Sequence, residues 1–379
     1  MFRILQRYLA AHFIIPFVVS LTFFVVFLLT FQLFHIIKLI TSKGVDVATI
    51  WNMVVDMAMS FVPMAMPLSC FFAVIYIMGK LSEDSEVVAM RSFGLSKSQL
   101  FRPFLILGAV IAVTVYILAA NIVPLAKKEF TNTFIRLTSR GMLNDIKAGG
   151  FFMDIPGVSM FAEKSQNQKM QGVMIHLADK NNNGEKVVFA RRGVLIKESP
   201  KDEWDLPNLR MHLSDGNSMR LDTQSNQLEK ILFQDYDFPL MEQDEGPGFI
   251  TKDSMRTNRE LWRIIRRGPK DKDKDKDKGK TDRGFIKTQL ELGERVKTPL
   301  ECLLFIFLGF SLGIKKGRGR SRDTGALAFA CLGLYYTMYF VGVTVTQKGM
   351  IHPYFVSIFP VIFFWIIGLF FYRKLDWPA

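Results

Sequence analysis

The stretch that decides the fold is Tyr8–Ile37, YLAAHFIIPFVVSLTFFVVFLLTFQLFHII, in which 30 consecutive residues carry no charge. A helix needs about 20 apolar residues to cross a bilayer, so this segment can span one with residues to spare. It is longer than the apolar core of a signal peptide, and no clear small-residue cleavage site ends it. We therefore interpret it as an uncleaved transmembrane helix that tilts or projects beyond the membrane.

Further uncharged runs follow along the chain. Four of them have 23 or 24 residues each: Met57–Gly79, Pro103–Ala126, Thr324–Gln347 and Gly349–Tyr372. Another, Cys302–Ile314, has only 13, but it extends backward through Leu300 and Pro299, which places Glu301 near the membrane surface. Because length and lack of charge are what a spanning helix requires, the sequence predicts six transmembrane helices.

A net charge of +13 is typical of proteins that bind nucleic acid, but the positions of the charges argue against such a partner here. Residues 127–298 hold 32 Lys/Arg against 27 Asp/Glu, so the large polar block is nearly balanced. The basic cluster Lys315–Arg322 lies in a short loop between two predicted spans, where membrane orientation explains it. We therefore predict no nucleic-acid partner.

The orientation follows from the Lys and Arg residues in the short flanks of the spans. One side carries 13 of them and the opposite side carries 3. The predicted cytoplasmic set is Arg3, Arg7, Lys80, Arg91, Lys97, Arg102, Lys315, Lys316, Arg318, Arg320, Arg322, Arg373 and Lys374; the opposite set is Lys38, Lys43 and Lys348. We predict a multi-pass protein of a bacterial inner membrane with both termini cytoplasmic and the block after span 3 periplasmic.

The pattern of apolar residues changes to a period of two between residues 150 and 240. Leu209, Met211 and Leu213, for example, alternate with polar residues. Turn signals separate such runs at 181–184, 192–193 and 215–217, and we count about eight short strands. This predicts an antiparallel sandwich or jelly roll with one apolar face, inserted between helices 3 and 4. That face is either an ordinary packed core or an open groove for an apolar ligand.

The chain after the strands divides into three parts. Thr257-x-x-Glu260 forms a capping-box pattern that predicts a helix over Asn258–Arg267. The alternating Lys and Asp residues of 268–284 have no apolar side chain to bury in their central run, so we predict a solvated linker there. The predicted organisation is 1–126 for helices 1–3, 127–267 for the β domain with its flanking helices, and 285–379 for helices 4–6.

No motif in the sequence indicates catalysis, a metal site or a bound cofactor. Gly309-x-Ser311-x-Gly313 matches a hydrolase elbow in letters, but that motif requires a strand-to-helix turn. Here it lies in an apolar run, where small residues allow helices to approach closely. The five histidines lack metal-ligand spacing, and the three cysteines form no pairing pattern. We predict a non-catalytic protein that binds no cofactor of its own.

The loop between spans 2 and 3 is the most informative segment, Gly79–Ser96, GKLSEDSEVVAMRSFGLS. Ser82 can cap a helix of about 82–94, whose first turn holds the acids Glu83, Asp84 and Glu86. The apolar side chains are Val87, Val88, Met90 and Phe93, and Gly94 is a plausible stop. Such an amphipathic helix either docks in a groove of another protein or lies on the lipid surface. Its acids disfavour anionic lipid, so we favour a protein partner.

This loop, the run Pro63–Leu68 and Pro124 after span 3 resemble the LptF/LptG family of lipopolysaccharide export permeases. Gly172-Val173, Val188-Phe189-Ala190 and Glu291-x-x-x-Arg295-x-x-x-Pro299-Leu300 resemble it further along the chain. The sequence departs from the family in its Lys-Asp linker and at Gly293, where many relatives have His. The resemblance follows the order of the chain over nearly its whole length, and the loop is its most specific part.

The resemblance implies a function in the Gram-negative cell envelope and a set of partners. Members pair with a paralogous LptF/LptG permease and associate with a dimer of the ATPase LptB, which uses the ATP, and with the single-span protein LptC. The complex extracts lipopolysaccharide from the inner membrane and passes it along periplasmic jelly rolls to a bridge, which contributes to outer-membrane biogenesis. The resemblance also favours an open apolar groove in the β domain. The sequence around Asp84-Ser85-Glu86 favours LptF over LptG.

Two groups of site residues follow. By resemblance, Glu86 is the acid of the coupling helix that contacts the ATPase, and we assign Glu83, Asp84 and Arg91 to the same surface. Lys38 and Lys43 stand where span 1 leaves the membrane, and they either pair with lipid phosphates or extend toward the headgroups as an ordinary interfacial pair. The alternative function is a membrane-anchored periplasmic scaffold or interaction protein without a transport path of its own.

Overall fold

The computed structural model describes residues 2–43, 46–145, 149–155, 158–166, 169–179, 184–198, 208–222, 227–239, 251, 253–268, 278–314 and 322–375. The backbone alone is described at 2–3, 33–43, 138–145, 152–155, 166, 178–179, 184–185, 197–198, 208–209, 220–222, 227–228, 239, 278–283 and 322–324. The chain forms two compact units. The helical unit comprises Met1–Phe31, Met57–Leu125 and Arg256–Ala379, and the β unit comprises Gln32–Asp56 and Ala126–Met255.

Helices account for most of the described residues. They are α1 (Phe2–Lys43), α2 (Val47–Glu83), α3 (Glu86–Ser92), α4 (Lys97–Ile117), α5 (Val123–Asp145), α6 (Asn258–Arg267), α7 (Lys278–Gly313), α8 (Arg322–Gln347) and α9 (Pro353–Lys374). A π-helical turn at Leu118–Ile122 joins α4 to α5 without a break. Within the described residues, six helical segments are long and apolar enough to cross a membrane. The prediction of six spans, including the short fourth one, is confirmed.

The most deeply packed span is the fourth, in α7. In its most apolar stretch 72% of the residues are buried within the chain, against 11% in the first span. Small residues explain the close packing, because a Cβ atom on Gly313 would lie 2.7 Å from the Cβ atom of Met78 in α2. Ser311 donates a hydrogen bond of 2.8 Å to the carbonyl of Phe307 in its own helix. The Gly-x-Ser-x-Gly pattern is therefore a helix-packing feature.

The β unit contains one antiparallel sheet in its described residues. Its strands are β1 (Phe151–Ile155), β2 (Val158–Gln166), β3 (Lys169–Asp179), β4 (Gly184–Glu198), β5 (Asn208–Asp222) and β6 (Gln227–Pro239). They pair in sequence order from β1 to β6. One face of the sheet is apolar and buried, with Met160, Ile175 and Met211 fully covered. The all-β domain between helices 3 and 4 is confirmed, and its apolar face is a packed core.

The described strands are fewer and longer than the sequence suggested, because two expected turns lie inside strands. Gly193 lies within β4, where it pairs with Met170 on one side and Leu213 on the other. Asp215 lies within β5 with a φ of 56°. Its neighbours Ser214 and Gly216 both pair with β4 and with β6, and the register on each strand is the same before and after Asp215. Aspartate tolerates the left-handed region, so Asp215 adopts it within a strand that continues in register on both sides.

The segment after the sheet begins as the capping-box pattern predicted. The helix Asn258–Arg267 is confirmed, and the amide of Thr257 donates to the carboxylate of Glu260 at 3.0 Å. Residues 269–277 of the predicted linker 268–284 lie outside the described residues. Residues 278–284 are the first two turns of α7, which is a correction to the linker. An existing helix extends at low cost, since only its nucleation is unfavourable. Helix α5 continues through residue 126 to Asp145, within the segment to which the prediction assigns the β domain with its flanking helices.

Candidate functional site

Helix α3 has well-defined ends. Before it, Ser85 takes a left-handed conformation with a φ of 61° and makes no side-chain cap. After it, Gly94 has a φ of 76° and its amide donates to the carbonyl of Arg91, while the amide of Leu95 donates to the carbonyl of Met90. These two bonds form a Schellman motif, which requires glycine in the left-handed position. The predicted stop at Gly94 is confirmed.

The start of α3 differs from the prediction. Helix α2 continues to Glu83, and the hydroxyl of Ser82 donates to the carbonyl of Met78 inside that helix instead of capping a new one. Glu83 therefore ends α2, Asp84 lies in the turn, and Glu86 alone of the three acids lies in the first turn of α3. The serine is a poor cap here because the preceding apolar helix has no signal that stops it before Ser82.

The apolar side chains of α3 are divided between two faces. Val87 and Met90 are buried in a cluster that also includes Leu9 and Phe13 of α1. Val88 and Phe93 are 63% and 74% exposed. The helix is therefore held on the bundle by one apolar face, while Val88 on the helix and Phe93 directly after it remain exposed.

The charged residues assigned to this loop share the outward side. The side chains of Glu83, Asp84 and Arg91 are exposed, and Glu86 is half-buried. The hydroxyl of Tyr8 in α1 donates to the Glu86 carboxylate and lies 3.1 Å from each of its oxygens. The four predicted coupling residues thus remain at least partly exposed, and Glu86 has a partner in Tyr8, which sequence reasoning did not single out.

The structure is less informative for the two lysines predicted to meet lipid phosphates. Lys38 and Lys43 lie in the last turns of α1. Their side chains lie outside the described residues, so their pairing with an anion stays a prediction.

Helix α7 carries a buried ion pair that sequence reasoning missed. Arg295 contacts Glu291 one turn earlier at 3.1 Å and is almost fully buried. Its guanidinium also donates to the side-chain oxygen of Asn258 in α6 at 2.8 Å. The signal in the sequence is the spacing of four residues between Glu291 and Arg295. This pair attaches α6 to span 4.

A second buried group begins two residues further along α7. Lys297 and Glu301 form an ion pair of 3.1 Å. Tyr335 of α8 donates a hydrogen bond of 2.5 Å to Glu301, and the ammonium of Lys297 lies 3.2 Å from the centre of the Tyr339 ring. Ionisable residues inside a membrane segment are costly and are usually paired. The group joins spans 4 and 5 through polar contacts within an apolar bundle.

The outer face of the sheet carries a polar cluster around His212. Its Nδ1 lies 2.7 Å from Asp237, which is the opposite residue on β6, and its Nε2 lies 3.5 Å from Asp235. The hydrogen bond to Asp237, together with the charge of both aspartates, raises the pKa of His212 above its ordinary value. Both ring nitrogens donate only in the imidazolium form, so this arrangement favours the protonated side chain.

Comparisons with known proteins agree with the geometry. A family model described as the lipopolysaccharide export system permease LptF/LptG matches residues 7–374. An uncharacterized protein of Rickettsia prowazekii (strain Madrid E) is 23% identical over 184 residues, which are 48% of this chain and 51% of that protein. The chain thus spans about half the length of that relative. Because the family match runs from the first span to the last, the chain belongs to the LptF/LptG family of lipopolysaccharide export permeases.

Proposed function

We propose that this chain is a permease subunit of an ABC transporter that extracts lipopolysaccharide from the inner membrane and passes it to a periplasmic bridge. The family match and the six apolar spans support a transport subunit. ATP hydrolysis belongs to a separate LptB-type ATPase dimer. The other partners are a paralogous LptF/LptG permease and an LptC-type single-span protein, and the sequence at Asp84-Ser85-Glu86 favours LptF for this chain.

The observation that carries the proposal is the outward surface of α3. Val87 and Met90 hold the helix on the bundle, while Val88, Phe93 and Arg91 remain exposed. Exposed apolar side chains together with charged ones are the composition of a small protein-binding surface. A helix on a lipid surface requires an apolar face toward the acyl chains, yet here half of the apolar residues are used within the chain. The ATPase is the occupant that we propose.

Orientation supports the same assignment. The loop that contains α3 lies on the side with 13 of the flanking Lys and Arg residues, which is the cytoplasmic side by the distribution of positive charge. ATP is available there. The same distribution favours a periplasmic position for the β domain, where a bridge protein would receive the lipid.

Features of the β domain support a hand-over of lipid. Strand β6 is the last strand of the sheet, and its Ile231 and Leu232 are exposed. An edge strand offers unpaired backbone groups to a strand of another protein. We propose that the bridge pairs at an edge of this sheet. Since the apolar face of the described sheet is packed, the lipid path through this domain requires that face to open.

The decisive experiment reverses the charge of Glu86. We expect Glu86→Lys to abolish co-purification of the ATPase and release of lipopolysaccharide from reconstituted vesicles. The matched control is Glu163→Lys, which makes the same charge change at an exposed residue of β2. Full retention of both ATPase binding and release by Glu86→Lys would show that α3 is not the coupling helix. Retained ATPase binding without any release in the unmodified protein would favour the scaffold function.

A second experiment addresses the lipid phosphates. We propose that Lys38 and Lys43 pair with them at the periplasmic end of span 1. The double variant Lys38→Glu/Lys43→Glu should weaken photocrosslinking of lipopolysaccharide to span 1 and slow export. Crosslinking and export at the unmodified level would rule out the phosphate assignment and leave the two lysines as interfacial residues.

A further inference from the structure

We propose that Tyr8 is a positioning residue that links the coupling helix α3 to the first transmembrane span through Glu86. The proposal rests on the proposed function, because it names the route by which ATPase contact at α3 reaches the lipid path. Its basis is the contact between two residues that are 78 positions apart in the chain.

The first step of the argument is the geometry of the hydroxyl. Tyr8 donates toward both oxygens of Glu86, at 3.1 Å each. A hydrogen bond to a charged acceptor is stronger than one between neutral groups. The tyrosine ring is itself held in place, since its centroid lies 4.1 Å from that of His12, one turn further along α1. The donor is therefore supported on α1 and aimed at α3.

The second step is the packing around that bond. Leu9 and Phe13 of α1 are buried in the same cluster as Val87 and Met90 of α3. The two helices thus contribute to one apolar cluster and are joined directly by the Tyr8–Glu86 hydrogen bond. A displacement of α3 by a bound ATPase acts on the start of α1 through both.

The third step is the mobility expected of the first span. Only 11% of its most apolar stretch is buried within the chain, against 61% for the second span and 72% for the fourth. Segments with few buried contacts move at the lowest free-energy cost. Within this chain, span 1 is therefore the least packed of these three spans, and the Tyr8–Glu86 bond is one of the contacts that restrain its start.

These steps assign a role to Glu86 beyond contact with the ATPase. A basic side chain of the ATPase that approaches Glu86 competes with the Tyr8 hydroxyl for the same carboxylate. When the ATPase side chain replaces the Tyr8 hydroxyl at Glu86, the start of span 1 is released. When the ATPase side chain withdraws, the hydrogen bond from Tyr8 to Glu86 forms again and holds the start of span 1. The alternative is that Tyr8 merely occupies the membrane interface, as exposed tyrosines commonly do.

The test uses the assembled transporter in lipid vesicles with Tyr8→Phe, which keeps the ring and removes only the hydroxyl. We expect the ATPase to co-purify in the unmodified amount, because Glu86 remains available. Lipopolysaccharide released per ATP hydrolysed should fall about tenfold, the fold-change expected for loss of one hydrogen bond to a charged acceptor. The matched control is Tyr76→Phe, at an exposed tyrosine of α2, which should leave that ratio unchanged.

A second readout separates positioning from a general structural role. In the unmodified transporter, hydrogen exchange of the amides of residues 4–13 should change when the ATPase is trapped with a nucleotide analogue. Tyr8→Phe should remove that response while leaving the exchange of α7 unchanged. An unchanged release ratio together with an unchanged exchange response would overturn the proposal.

A parallel measurement on Glu86→Lys keeps the two proposals distinct. If Glu86→Lys loses the ATPase while Tyr8→Phe behaves as the unmodified protein, the coupling helix stands and the role of Tyr8 is rejected. If Glu86→Lys retains both ATPase and release, the proposed function of α3 fails, and the role of Tyr8 fails with it.

Discussion

Lys297 and Glu301 form an ion pair of 3.1 Å inside span 4, although each side chain is only 5% exposed. Two tyrosines of α8 contact the pair: the hydroxyl of Tyr335 donates to Glu301, and the ring of Tyr339 covers the ammonium of Lys297. Burial of two charges is costly unless further hydrogen bonds satisfy them. The pair therefore specifies one register between α7 and α8, which apolar contacts alone would specify less strictly.

Removal of one member of this pair should destabilise the bundle. Glu301→Gln leaves the ammonium of Lys297 without its counter-ion, and such losses cost about 3–5 kcal/mol in folded proteins. The double variant Lys297→Met/Glu301→Gln should lose less than the sum of the two single variants. Thermal unfolding in detergent checks both statements. Additive losses would mean that the two side chains are not coupled.

Close helix packing makes a second prediction. Gly313→Ala places a methyl group against Met78, and overpacking of this kind typically costs about 1–3 kcal/mol. The control is Gly333→Ala in α8, where nothing lies within 4 Å of the added atom. That variant should be neutral or stabilising by about 0.5–1 kcal/mol, because alanine is the better helix former. Equal unfolding temperatures for the two variants would contradict the packing assigned to Gly313.

The backbone of Ser85 makes a third prediction. Its left-handed conformation costs an L-residue about 1–2 kcal/mol, and glycine avoids this cost. Ser85→Gly should therefore raise stability slightly and preserve ATPase co-purification. Ser85→Val should lower both, because a β-branched side chain disfavours that conformation and displaces α3. Co-purification that is unaffected by Ser85→Val would show that the position of α3 tolerates a different turn.

The cluster around His212 predicts a dependence on pH. Its pKa is raised by Asp237 and Asp235, so the folded state binds the proton more tightly than the unfolded chain does. The stabilisation is fully present below the ordinary pKa of about 6.5 and is lost as the pH rises through the folded value. NMR titration of the His212 ring should give a midpoint above about 6.5.

Variants of the two aspartates test the cause of that shift. Asp237→Asn should lower the midpoint most, because Asp237 makes the shorter contact, and Asp235→Asn should lower it less. A midpoint that Asp237→Asn leaves unchanged would contradict the assigned hydrogen bond.

Much of the fold follows from local patterns in the chain. The length of an uncharged run is sufficient to predict five of the spans, whereas the span in α7, whose uncharged run is only 13 residues long, required extension of that run backward past Glu301. The capping box at Thr257 predicts α6 with its observed ends, and Gly94 predicts the end of α3. These features depend on residues within a few positions of one another, so a linear sequence contains all the information needed.

Other local patterns were ambiguous, and tertiary pairing decided them. The Asp215-Gly216 dipeptide suits a turn, yet pairing with β4 and β6 on both sides keeps it inside a continuous strand. Ser82 suits a helix cap, yet α2 continues past it. A single capping residue does not end a helix when extension of that helix is more favourable in free energy than a new helix start.

The sequence by itself determined that this chain crosses the membrane, in which places, and with a β domain between spans 3 and 4. It also determined an amphipathic, acidic loop between spans 2 and 3. Only the tertiary structure decided which apolar residues of that loop are buried, that Tyr8 faces Glu86, and that Lys297 and Glu301 are enclosed by tyrosines of α8. The physical reason is distance along the chain, since hydrophobicity, capping and ion pairs at a spacing of four act between neighbours, whereas the tyrosines that contact Glu86, Lys297 and Glu301 come from other helices.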